Sequence, residues 1–199
     1  SADLRQLFYC AIVCTEKDIK HPPGESISTG RKSGRTGFRR RRMEIEMKIV
    51  IANDHAAVDM KMEIMTYLQE LGHEVLNIGT DTADRCNYPE YGEKAARLVV
   101  SGEADCGVLI CGTGVGISIA ANKVKGIRAA VCSEPTTARL VKEHNNANMI
   151  AFGARIVGPE AAKSIIDAYL NAEFQGGRHA ERVALIGAIG ERECGADDR

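Results

Sequence analysis

No apolar run in this chain approaches the roughly 20 residues that span a bilayer, which excludes a helical membrane protein. Neither sign of charge is in excess: 26 Lys and Arg stand against 27 Asp and Glu, for a net charge of -1. A general nucleic-acid binder needs a basic surplus, so that class is disfavoured. Cys-x-x-Cys pairs are missing, and seven scattered cysteines (Cys10, Cys14, Cys86, Cys106, Cys111, Cys132, Cys194) show no Cys/His spacing of the zinc type. That argues against a metal site and a disulfide framework alike, and for a reducing, cytosolic setting. No metal ligand set is identified.

The stretch Val108-Leu109-Ile110-Cys111-Gly112-Thr113-Gly114-Val115-Gly116-Ile117-Ser118 is the feature around which the rest is arranged. An apolar strand ends in a thiol, a glycine turn follows, and residues 117–122 read as a helix. Freed backbone N–H groups and a helix start then converge on one spot beside the thiol. This can be an anion cradle with a reactive cysteine, or only a tight turn with a small core residue. The turn has no lysine, so it is not a phosphate-transferring P-loop. It follows the third strand, and Cys132 stands where a dinucleotide fold would place its ribose-binding acid.

Residues 1–46 differ from the remainder. They hold one apolar patch, residues 7–13, then a Gly, Ser, Pro and Arg-rich segment ending Arg39-Arg40-Arg41-Arg42. Such a composition buries too little to offset its ordering entropy, so a flexible extension is expected. An organelle-targeting peptide, weakened by Asp3, Glu16, Asp18 and Glu25, and a basic arm for nucleic acid are the functional alternatives; a natural start at Met43 or Met47 is a third option. From Met47 a regular pattern begins. Apolar runs at 48–52, 74–78, 106–111, 127–132 and 148–152 predict five strands. Between and after them lie helical patterns: Met60, Ile64, Leu68 and Leu71 before Gly72; residues 89–100 before Gly102; a helix capped by Ser133 with Pro135 in its first turn; and Ala162, Ile165, Ile166, Tyr169 and Leu170 after Pro159. Alternation of this kind calls for an α/β fold: a three-layer α/β/α sandwich on a five-stranded parallel, Rossmann-like sheet, with a C-terminal helix. The domain spans 47–192, with a tail at 193–199.

In such sheets ligands sit beyond the carboxyl ends of the strands, where the strand order reverses. Strands one and three would bring Asp54 and His55 beside Cys111. Arg178 and Arg182, four apart near a helix start, form a candidate phosphate site or simply face solvent and pair with Glu181 and Glu191. His144 at a helix end is, on spacing alone, only a favourable charge placement.

Taken together, Asp54-His55, the run from Ile110 to Lys123, Gly126-Ile127-Arg128-Ala129, Cys132-Ser133-Glu134-Pro135, His144-Asn145, Ala151-Phe152-Gly153 and Gly176-Gly177-Arg178-His179 resemble the type B ribose-5-phosphate isomerases. That family also holds galactose-6-phosphate isomerase. The resemblance covers residues 47 to about 192, in order, and does not extend to the N-terminal segment. It implies cofactor-free interconversion of ribose 5-phosphate and ribulose 5-phosphate. Cys111 would be the base that moves a proton between C1 and C2. His144 would assist ring opening, and Asp54 would handle hydroxyl protons, with Thr113 beside the base. His55, Arg178 and Arg182 would bind phosphate, while Tyr88 and Asn145 would line the sugar. Gly112, Gly114, Val115 and Gly116 would form the enediolate hole. His144 and Asn145 would reach into a neighbouring subunit's site, implying a homodimer or tetramer. The loop 79–88 would measure sugar length, leaving a 6-phosphohexose (allose or galactose) as the alternative substrate. The rivals from other classes are a non-catalytic phosphate-ligand regulator and a thiol redox sensor, the latter lacking a nearby resolving cysteine.

Overall fold

The computed structural model describes residues 46–194, with side chains to residue 192. The expectation for residues 1–45 and the last residues of the tail lies outside the described part. Five parallel strands, β1 (Lys48–Asn53), β2 (Glu74–Asn77), β3 (Cys106–Cys111), β4 (Ala129–Val131) and β5 (Met149–Gly153), form one sheet in the order β2-β1-β3-β5-β4. The helices are α1 (Val58–Glu70), α2 (Tyr88–Ser101), α3 (Val115–Ala121), α4 (Pro135–Asn145), α5 (Pro159–Leu170) and α6 (Arg178–Cys194). The expected α/β sandwich is therefore the fold, with the order reversing between β1 and β3.

Successive side chains of a strand point to opposite faces, so each strand feeds two cores. Ile49, Ile51, Val108, Ile110, Ile150 and Phe152 face a layer containing Ile64 and Leu68 of α1 and Ile165 and Ile166 of α5. Val50, Ala52, Leu109, Cys111 and Ala151 face the other layer, with Ala95 and Ala96 of α2 and Ile117 of α3. Parity alone thus puts the Cys111 side chain under α2 and α3.

Three local expectations change. The N-cap of α4 is Glu134, not Ser133. Its carboxylate accepts from the Thr136 and Thr137 N–H groups, both at 2.6 Å. Pro135 brings no N–H, so the first open donors lie one residue farther on, within a glutamate's reach. β4 is three residues, not six. It is an edge strand, and the backbone before it turns away: Arg128 N–H donates to Asn148 Oδ1 at 2.8 Å. A short 3-10 turn at His55–Ala57, which periodicity does not reveal, precedes α1.

Candidate active site

The register decides what meets at the top of the sheet. Asn53 pairs with Ile110, and Cys111 with Gly153, so the ends of β1, β3 and β5 lie side by side. The Asp54 N–H donates to Ile110 O at 3.2 Å, which brings Asp54 next to Cys111. One Asp54 oxygen accepts from the Ala56 N–H at 3.0 Å, capping the 3-10 turn and fixing the carboxylate. Asp54 is 6% and Cys111 4% exposed, so both are withheld from bulk water.

At Cys111 the sulfur accepts from the Gly114 N–H, 3.1 Å away. An N–H aimed at sulfur is the arrangement a proton-accepting thiol needs. Two further thiols are buried. Burial pushes Cys106 up to about 12, and burial, then Glu134, pushes Cys132 up to about 11. Both stay protonated at neutral pH. Cys86, Cys106, Cys111 and Cys132 are all free.

The glycine turn is built by close packing. Gly114 has φ +80°, and a Cβ there would stand 2.7 Å from a Phe152 backbone carbon, so strain and collision both select glycine. Gly114→Ala should therefore lose activity and a few kcal/mol of stability, as strained or overpacked positions do; denaturant unfolding beside a rate assay checks it. A Cβ on Gly116 would meet the Tyr88 ring at 2.7 Å, so that ring lies on the start of α3, over the turn. Two of the N–H groups expected in the enediolate hole are engaged within the turn: Gly114 with the sulfur, and Val115 with Thr113 Oγ1 at 3.4 Å. The Val115 bond is long enough to be exchanged for a better acceptor.

Sequence reasoning missed Arg155. Its guanidinium lies 3.6 Å from where a Gly112 Cβ would be, because its N–H bonds Gly112 O at 3.1 Å and pins it over the turn. An arginine just after a strand end facing a ligand crevice was the available signal. His55 stays at this end as well, its Nδ1 accepting from the Cys86 N–H at 3.3 Å.

The remaining residues are elsewhere. α4 runs back along the sheet and ends immediately before β5 starts, so His144 and Asn145 stand at the amino ends of the strands. Arg128 Nε fixes them there through Asn145 O at 3.1 Å and Asn146 O at 2.9 Å. His144 stacks on His179 of α6, ring centroids 4.3 Å apart. Burial first, then the charges of His144, Arg178 and Arg182, lower the His179 pKa; both arginines lie on the first turns of α6 with His179. The six residues of β3 separate the two ends by about 16 Å at 3.3 Å per residue. A single chain therefore assembles Asp54, His55, Tyr88, Cys111 and Thr113, but not His144, Asn145, Arg178 or Arg182 with them.

The His179 shift has a pH consequence. Its folded value lies below the unfolded one near 6.5, so the unfolded chain takes up the proton first. Stability should be fully present above about pH 6.5, fall as pH drops through that value, and level off below the folded pKa. Melting temperatures from pH 8 to 5 check this, and His179→Gln should flatten the profile.

Among the described residues no group of three or more His, Cys, Asp or Glu is placed to hold a metal ion, and no helix is long and apolar enough to cross a membrane. The sequence profile of the Ribose/Galactose Isomerase family matches residues 49–186. This chain belongs to that family. It is 53% identical over 145 residues to ribose-5-phosphate isomerase B of Escherichia coli, covering 73% of this chain and 97% of the relative. Over 148 residues it is 44% identical to D-erythrulose-4-phosphate isomerase of Pectobacterium atrosepticum, with 74% of this chain and 97% of the relative covered. Among solved structures, Clostridium thermocellum ribose-5-phosphate isomerase B superposes with a TM-score of 0.73 at 52% identity, covering 74% of this chain and 99% of that one. The ribose/galactose isomerase match begins just after Met47 and leaves the N-terminal segment outside it.

Proposed function

We propose that this isomerase interconverts ribose 5-phosphate and ribulose 5-phosphate through an enediolate, in a cytosolic setting. The observation that carries the reading is the Cys111 thiol, buried beside Asp54 with the Gly114 N–H on its sulfur at 3.1 Å. In the forward direction Cys111, as thiolate, takes the C2 proton of the open-chain aldose. The electron pair moves into the C1–C2 bond and the carbonyl oxygen becomes an oxyanion. The N–H groups of the 112–116 turn and the Arg155 guanidinium hold that charge. Cys111 returns the proton to C1, while Asp54 and Thr113 relay the hydroxyl proton between O2 and O1. Atoms and electrons are conserved, so the step needs no external oxidant or reductant.

Ring opening falls to His144, and sugar and phosphate contacts to Asn145, Arg178 and Arg182, all supplied by a second copy of the chain. Tyr88 and His55 come from the first copy. Two features support a homodimer with shared sites. One is the separation of the two residue groups along the sheet. The other is the apolar side chains that one chain leaves uncovered: Leu185, Ile186 and Ile189 of α6 are 66, 47 and 53% exposed. A pair of copies can bury such a face.

Relatives in this family carry names with four-carbon and five-carbon sugar phosphates, so chain length is the open variable. Side-by-side turnover of ribose 5-phosphate, erythrulose 4-phosphate, allose 6-phosphate and galactose 6-phosphate tests the assignment. The highest kcat/KM is expected for ribose 5-phosphate. A higher value for another sugar reassigns the substrate, and turnover of none overturns the isomerase reading.

A further inference from the structure

Lys61 is a fully buried ammonium outside the chemistry described above, on the inner face of α1. Burying a lysine is unfavourable unless its donors are satisfied. Here all its acceptors come from one segment: Thr80 O at 3.0 Å, Asn77 Oδ1 at 3.4 Å, and the Asp81 carboxylate in an ion pair. Asn77 closes the cluster, donating to Asp81 at 3.0 Å and accepting from the Gly79 N–H at 3.1 Å. Lys61 thus clasps the base of the loop between β2 and α2, which otherwise has few apolar anchors.

That loop ends in two contacts with the site. The Cys86 N–H donates to His55 Nδ1 at 3.3 Å, and the Tyr88 ring lies on Gly116. A backbone N–H can donate only to an unprotonated ring nitrogen, so the neutral His55 carries its proton on Nε2 and offers it outward. The orientation and tautomer of His55 therefore depend on where the loop holds residue 86.

We propose that Lys61 is a positioning residue for substrate binding: by clasping residues 77–81 it sets the loop that fixes His55 as an Nε2–H donor and seats Tyr88 over the glycine turn. The assignment of His55 to the phosphate end rests on the isomerase reading; the clasp and the tautomer do not. Lys61 acts entirely through other groups and does not touch the reacting atoms.

Lys61→Met keeps the length of the buried stem and removes the donors. Removing one partner of an ion pair costs most when the other stays buried; the Asp81 side chain is 67% exposed and can rehydrate, so the melting temperature should fall only modestly. KM for ribose 5-phosphate should increase about tenfold with kcat changed less than about threefold, the split expected when ground-state binding is lost. Amide exchange of residues 78–87 should accelerate, and the nitrogen NMR signature of His55 should move from a single Nε2–H tautomer to a mixture. Asp81→Asn, at a side chain 67% exposed, should act in the same direction more weakly and carries the test if Lys61→Met does not fold. Unchanged KM, loop exchange and tautomer would overturn the proposal. If the wild type turns over no sugar phosphate, the isomerase reading fails, while exchange and tautomer still decide the clasp.

Discussion

Cys111→Ala should remove isomerisation, lowering kcat by about 10²–10⁴-fold, the range that a positioned acid or base contributes, while the protein still folds. The side chain is small, and losing one buried sulfur for a methyl group amounts to about 1 kcal/mol, from the scale of single-group core truncations. Cys111→Ser tests the chemistry more sharply. It keeps an acceptor near the Gly114 N–H but substitutes a hydroxyl that is essentially never ionised at neutral pH. A coupled assay for ribulose 5-phosphate gives the rate. Titration with a non-isomerisable sugar phosphate should show binding retained in both variants. Cys132→Ala is the control, since that thiol is held protonated by burial and by Glu134 and lies outside the site. Full activity in Cys111→Ala would remove it as the base.

Mixing two inactive variants should restore activity. Cys111→Ala breaks the residues contributed by the carboxyl ends of the strands, and His144→Ala breaks those contributed by the end of α4. If each site is built from both copies, a mixed dimer has one site with both lesions and one with neither. Random reassortment makes half the dimers mixed, so the pool should recover about one quarter of wild-type activity, by the symmetry of a two-fold interface. Refolding or coexpressing the two variants and assaying the mixture against each alone provides the measurement. No recovery, with exchange of subunits demonstrated by a tag, would show that each site is complete within one chain. The physical basis is the distance argument: a six-residue β3 lies between the two groups, and no side chain spans about 16 Å.

Much of this molecule is legible in its residues because the relevant signals are local. Strand runs such as Ile49 to Ala52 and Val108 to Ile110 are buried on both faces, so hydrophobicity alone marks them. The glycine at 114 stands where φ is positive and a Cβ would strike the Phe152 backbone, and that requirement is written directly into residue type. Where the reading failed, a longer-range choice prevailed. Ser133 was the ordinary cap residue, yet Pro135 shifted the open donors to within reach of Glu134. β4 shortened because Asn148 captured the Arg128 N–H from 20 positions away. Arg155 stands just after a strand end, but its place over the site comes from the turn after β5 folding back over Gly112. Lys61 was hidden for the opposite reason, since a lysine in an amphipathic helix reads as a solvent-facing residue until its acceptors are seen.

By itself the sequence determined the alternation of strands and helices and the thiol–glycine turn at the end of β3. These follow from backbone sterics and burial of apolar side chains, which act over a few residues at a time. Only the tertiary structure decided which of the candidate groups share a site. Register across β1, β3 and β5 gathered Asp54, Cys111 and Arg155 at one end of the sheet. The return path of α4, held by Arg128, carried His144 with Arg178, His179 and Arg182 to the other. Strand length separates those clusters, and a local signal carries no information about which end of a sheet a distant residue will reach.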